Sequence, residues 1–196
     1  MSKQSRRFQV PDALANLYDF ANTLDVRRFS HRGVPHRQDD ELKSADDLAV
    51  WMAQRRLARP NAIITPTMFE AALGLRASLR HYLQHDPAER RSKSATRALN
   101  AAIAFFPLRA ELGDEAGVGL RPVRNDALAG LSAVAAELYD GARDGSLDRL
   151  KICAAEECRR VFFDRSRPAT RRWCMSNLCG NRNKTRAYRE RQRGRK

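Results

Sequence analysis

All four cysteines of the chain lie near its C-terminal end, at Cys153, Cys158, Cys174 and Cys179. They form two Cys-x4-Cys pairs separated by fifteen residues. Two knuckles joined by a hairpin-sized insert are the pattern of a four-thiolate structural zinc site. Soft thiolates select zinc or iron in a tetrahedral arrangement, and the expected cofactor is one Zn2+ shared by both pairs. Two disulfides would need an oxidising compartment, whereas the N-terminal stretch MSKQSRRFQV has no apolar segment of the secretory kind. The expected location is therefore a reducing cytoplasm. Four protein ligands leave no coordination position for water or substrate, so the metal is expected to be structural and the protein not an enzyme.

The insert carries its own signals. Val161, Phe162 and Phe163 read as a short strand, residues 165–169 as a basic turn, and Trp173 leads into the third ligand. The result is a small hairpin over the metal with Phe162 and Trp173 as its minimal core. Ser176 is the expected cap of a helix that holds Cys179 in its first turn and runs towards Arg193. On that helix Arg182, Arg186, Arg189 and Arg193 fall on one face, with Lys184 and Arg191 elsewhere.

The formal net charge is +14, and most of it lies in this last quarter, where residues 147–196 hold 16 Lys and Arg against five Asp and Glu. A basic module on a nearly neutral body suggests a polyanionic partner. Arg167, Arg171 and Arg172 extend the basic patch, and together with Arg182, Lys184, Arg186, Arg189 and Arg193 they are the expected nucleic-acid contacts. Membrane partners are not expected: no apolar run approaches the roughly 18–20 residues a spanning helix needs, and the basic segment lacks an apolar stripe.

Upstream, apolar residues recur at helical spacing. Leu14, Leu17, Tyr18, Ala21 and Leu24 mark a core-facing helix between Pro11 and Arg27, followed by a polar loop from His31 to Glu41. Ser44 with Asp47 resembles a capping box before a helix carrying Leu48, Trp51 and Met52, which should end before Pro60. Thr65-Pro66 signals another start, with Met68, Ala72, Leu75, Leu79, Tyr82 and Leu83 as its stripe and a stop near Pro87. A helix from about Ser94 to Phe106 follows. Segments 108–112 and 119–123 flank a Gly-rich GDEAG and predict a hairpin, with Pro122 confining the second strand to an edge. A helix from Asp126 to about Ala142 closes the body, and Gly141, Gly145 and Ser146 mark a boundary. The predicted fold class is mainly α (α+β): a helical N-terminal domain with a small β-hairpin, then a four-cysteine zinc-finger module of β-hairpin plus basic helix.

The residues Arg171-Arg172-Trp173-Cys174 and Cys179-Gly180-Asn181-Arg182 with Lys184 resemble the CGNR zinc finger. Cys153 and Cys158 upstream, with Phe163-Asp164 and Ser166-Arg167 between, belong to the same likeness. Residues 19–25 (Asp-Phe-Ala-Asn-Thr-Leu-Asp) with Arg27 are similar to the opening signature of the ABATE domain, except that Ala21 stands where Val is expected. The resemblance spans nearly the whole chain, with an ABATE-like domain at 1–145 and a finger at 146–196. It implies a bacterial, stress-response transcription regulator whose finger binds DNA. The same zinc module could instead grip RNA. Within the tetrapeptide, Cys179 would hold the metal, Gly180 would permit close packing and Asn181 would bond a knuckle carbonyl or a base edge. Asn22, Asp25 and Arg27 could line a ligand pocket, and Asp25 with Arg27 could equally form an ion pair at a helix end. Expected partners are double-stranded DNA, with a small-molecule effector and a second copy of the chain as further candidates.

Overall fold

In the computed structural model, which describes residues 3–31, 33–113 and 117–194, side chains set where most helices start. A short helix α1 (Lys3–Arg7), which no sequence signal marked, precedes a 3-10 turn at Asp12–Leu14 and α2 (Ala15–Ala21). The cap of α2 comes from far along the chain. Glu137 accepts from the Leu17 amide at 2.8 Å, the Asn16 amide at 3.3 Å and Asn16 Nδ2 at 2.7 Å. The stripe expected to reach Leu24 stops at Ala21, because Thr23 Oγ1 donates to the Phe20 carbonyl at 2.8 Å and the chain turns.

Leu24 instead enters β1 (Leu24–Asp25), followed by β2 (Ser30–His31), β3 (Val34–Pro35) and β4 (Asp39–Asp40). β1 pairs with β4 and β2 with β3, both antiparallel, so the expected polar loop is two short ladders; Arg32 lies outside the described residues. α3 (Ala45–Gln54) starts at the foreseen box: Ser44 accepts from the Asp47 amide at 3.1 Å, and Asp47 accepts from the Lys43 amide at 3.0 Å. α4 (Pro66–Gln84) starts behind Thr65, whose hydroxyl accepts from the Met68 amide. α5 (Lys93–Ile103) is capped by Ser92 rather than starting at Ser94, and it ends at Ile103 instead of continuing to Phe106.

β5 (Leu108–Gly113) and β6 (Gly117–Pro122) form the predicted hairpin; Asp114, Glu115 and Ala116 of its turn lie outside the described residues. The last body helix begins later than Asp126, which instead folds a turn onto the Leu128 amide. A 3-10 turn at Ala129–Leu131 then leads into α6 (Ser132–Asp144). Gly130 is dictated by packing, since a Cβ there would meet the Leu57 carbonyl oxygen at 1.7 Å. Gly145, at φ +78°, ends α6 in the left-handed conformation.

The finger follows as β7 (Leu150–Ile152), antiparallel to β8 (Val161–Phe163), then a wide π-helical turn, Ser176–Gly180, and α7 (Asn181–Arg193). Ser176 caps nothing: it is the first residue of that turn. One apolar core joins the two parts. Leu17, Phe20, Trp51, Leu75, Leu79, Leu131 and Leu138 of the body pack in the same cluster as Leu147, Leu150, Ile152 and Val161. Among the described residues no helix is long and apolar enough to cross a membrane.

Burial raises the Glu137 carboxyl from its ordinary 4.5 to about 7, against the pull of its three N–H donors. The folded value lies above the unfolded one, so the folded state holds this proton longer. Its contribution to stability is full below about pH 4.5 and is lost as pH rises through 7. Glu137→Gln is expected to flatten that part of the stability curve, as read from urea unfolding between about pH 5 and 8.

Candidate metal centre and basic helix

The four cysteine sulfurs converge, all lying within 4.8 Å of one another. Cys158 Sγ to Cys174 Sγ is 3.6 Å and Cys174 Sγ to Cys179 Sγ is 3.7 Å. A tetrahedron with Zn–S bonds of about 2.3 Å has edges of about 3.8 Å, so the separations fit a zinc ion. They are far too long for disulfides, and all four residues are free cysteines. Hydrogen bonds from the Cys158, Cys174 and Cys179 thiols hold Cys153 far below the ordinary thiol range. Hydrogen bonding to Cys153 and then Cys158, with burial, pushes Cys174 and Cys179 far above it. Four sulfurs this close ionise together only around a cation. The site holds one structural zinc ion through Cys153, Cys158, Cys174 and Cys179.

Backbone bonds shape each knuckle. The Cys153 amide donates to the Arg160 carbonyl at 2.9 Å, the Cys158 amide to the Ala155 carbonyl at 2.9 Å, and the Gly180 amide to the Met175 carbonyl at 3.1 Å. Arg159 takes φ +50° to close the first knuckle. Phe162 and the half-buried Trp173 pack around the cysteines, as the sequence suggested, and Ala155 joins them. Asn181 Nδ2 donates to the Asn177 carbonyl at 3.3 Å, inside the second knuckle, and Asn183, unremarked in the sequence, donates to the Cys179 carbonyl at 2.8 Å. Crowding does not demand glycine at 180: a Cβ would stand 3.7 Å from the Trp173 ring, an ordinary contact.

The basic turn between the knuckles is organised by a residue that spacing alone does not mark. Asp164 is fully buried and accepts from Ser166 Oγ at 2.6 Å, the Ser166 amide at 3.0 Å, the Arg171 amide at 2.8 Å and Lys151 Nζ at 3.1 Å. Burial alone would raise its carboxyl, and these donors outweigh it and hold the carboxyl below the ordinary range. The signal was present as the acid of a basic loop, but its partners come from β7 and from seven residues downstream.

The candidate nucleic-acid residues divide into two groups. Arg167, Arg172, Lys184, Arg189 and Arg193 are exposed. The others are engaged. Arg171 donates to the Cys174 carbonyl at 2.8 Å, and Arg182 donates to the Ser30 carbonyl at 2.7 Å while stacking 4.4 Å above the Phe29 ring. Arg186, exposed, lies 3.3 Å from the Glu157 carboxylate. Arg182 thus ties the start of α7 to the body and Arg186 ties its second turn to the first knuckle of the finger, while α7 buries no residue of its own.

Asn22, Asp25 and Arg27 come together around a cavity of about 150 Å³ at the seam between body and finger. Their polar groups are satisfied there. Asn22 Nδ2 donates to the Val161 carbonyl and Asn22 Oδ1 accepts from the Val161 amide, both at 3.1 Å, so the side chain extends the edge of β8. Asp25 is paired with Arg27 and with His36 Nε2, and these partners overcome burial to hold its carboxyl well below the usual range. Two buried arginines, also unmarked in the sequence, complete the seam. Arg80 donates to the Ala21 carbonyl at 2.7 Å and the Arg159 carbonyl at 3.0 Å. Arg90 donates to the carbonyls of Leu83, His85, Leu147 and Leu150.

A helical body fused through one core to a four-thiolate module with a basic terminal helix defines a zinc-finger protein. The ABATE family model, described as "Putative stress-induced transcription regulator", matches residues 16–145, and the CGNR zinc finger model matches residues 149–192. The chain belongs to the ABATE family and carries a CGNR zinc finger. A comparison with curated proteins finds no match.

Cys174→Ser is expected to abolish stoichiometric zinc binding, read by metal analysis of the purified protein. Because Leu150 and Val161 sit in the common core, the same variant lowers the thermal midpoint of the whole chain. Asp164→Ala removes the carboxylate partner of the half-buried Lys151 ammonium and leaves several N–H donors without an acceptor, and is expected to cost about 3 kcal/mol in denaturant unfolding while zinc content is retained.

Proposed function

We propose that the protein is a DNA-binding transcription regulator in which zinc and the body together present α7 to the duplex. The observation that carries this reading is that α7 begins two residues after a metal ligand and buries nothing, while displaying Lys184, Arg189, Arg191 and Arg193. A helix whose remaining cations are exposed in this way is suited to an anionic partner. Arg167 and Arg172 supply further cations from the loop. Arg171 and Arg182 act as positioning residues, since their donors are spent on backbone carbonyls of the finger and body. Non-catalytic regulation accords with a metal held by four protein ligands. A small-molecule effector, if one acts through Asn22, Asp25 and Arg27, would be small, because the cavity of about 150 Å³ is below the roughly 300–1,000 Å³ of ordinary ligand pockets.

Six cations meeting phosphates would give a slope of log K against log salt of roughly −5. Arg189→Ala with Arg193→Ala is expected to weaken duplex binding and reduce that slope by about 2, with helicity and zinc unchanged. The measurement is a fluorescence anisotropy titration with duplex DNA at several salt concentrations, alongside a matched RNA hairpin. Absence of duplex binding, or preference for the RNA, overturns the reading.

A further inference from the structure

The β5–β6 hairpin rests against α6 at its base, and towards its tip it leaves part of an apolar face uncovered. Leu108, Ala110 and Leu112 share a face with their cross-strand neighbours Pro122, Leu120 and Val118. Leu108 packs at the base against the common core, yet Leu112 is 82% exposed and Val118 69%. The other face of β5 carries Arg109 and Glu111, both exposed and 3.0 Å apart.

The hydrogen-bond pattern shows which backbone groups are free. Val123 N donates to the Pro107 carbonyl at 3.0 Å, and antiparallel pairs alternate, so Arg109 and Glu111 make the inward bonds to β6. Leu108, Ala110 and Leu112 then point their N–H and C=O groups outward, and no described residue bonds to them. The outward positions of β6 include Pro122, which has no N–H and blunts that edge. β5 is the open edge.

We infer that β5 pairs antiparallel with β5 of a second copy about a two-fold axis through Ala110, making a four-stranded sheet across a homodimer. The sequence Leu-Arg-Ala-Glu-Leu at 108–112 is self-complementary in this register. Ala110 meets the partner's Ala110 and Leu108 meets the partner's Leu112, each pair using the outward groups. Arg109 then stands opposite the partner's Glu111 in the closely spaced pairs, where opposite charges stabilise and like charges destabilise. Shifting the axis by one residue places Arg109 against Arg109 or Glu111 against Glu111, so charge selects a single register. The exposed Leu112 is carried to the base of the partner's hairpin, where Leu108 already packs against a core. Such an isologous interface uses one patch on both subunits and closes on itself. It rests on the hairpin alone and is independent of nucleic-acid binding.

The test is sedimentation velocity of the zinc-loaded full chain without nucleic acid, for wild type, Arg109→Glu and Glu111→Arg, with circular dichroism and zinc content as folding controls. Wild type is expected to dimerise. Each single variant should raise the dimer dissociation constant at least about tenfold, because every ion pair becomes a like-charge pair. An equimolar mixture of the two variants should recover a dimer, since the carboxylate introduced at position 109 of one chain then faces the guanidinium introduced at position 111 of the other. A monomeric wild type, single variants that dimerise as wild type does, or a mixture that stays monomeric would each overturn the inference.

Discussion

Four sulfurs within 4.8 Å of one another hold the C-terminal quarter in shape, and the rest of the functional surface depends on them. Around them, among the described residues, the module offers only Phe162, Ala155 and the half-buried Trp173 as apolar filling, too little to fold a unit of this size alone. One zinc ion ties the loop between β7 and β8 to the turn that opens α7, so the direction of the basic helix follows from metal geometry. Asp164 performs the corresponding task for the loop, drawing Lys151, Ser166 and the Arg171 amide around one buried carboxylate.

The finger is not a bead on a linker. Its strands enter the body's core through Leu150, Ile152 and Val161, and its backbone is gripped by body side chains. Asn22 completes the edge of β8, while Arg80 and Arg90 reach across with guanidinium donors. The hydrogen-bond partners of both arginines are carbonyls. Ala21 ends α2 and Leu83 lies in the last turn of α4, so each buried cation sits where a helix C-terminus supplies partial negative charge. Arg182 adds the one contact that joins α7 itself to the body among the bonds described, through the Ser30 carbonyl and the Phe29 ring, and Lys184, Arg189, Arg191 and Arg193 stay exposed.

Much of the local structure was legible in the sequence. The metal ligands followed from the repeated Cys-x4-Cys spacing, α3 and α4 from Ser44 and Thr65-Pro66, and the hairpin from its flanking strands, because each leaves a pattern along the chain itself. The errors had two sources, local turns that spacing does not mark and partners that lie far along the chain. α2 stops short of Leu24 because the chain turns at Thr23 into β1, and its cap is Glu137, some 120 residues away. α6 begins late because Asp126 is spent on a turn. The polar loop after His31 contains ladders because β1 finds β4.

A four-thiolate metal site, a helical body and a strongly basic C-terminal quarter can be read from the residues alone, since these rest on periodicity, spacing and charge. Which of those charges remain free depends on how the folded parts pack. Arg171 and Arg182 look no different in sequence from Arg189 and Arg193, yet the first two are spent on the Cys174 and Ser30 carbonyls. A bond between residues 152 positions apart leaves no periodic signature, and only the packing of the finger on the body brings those atoms together.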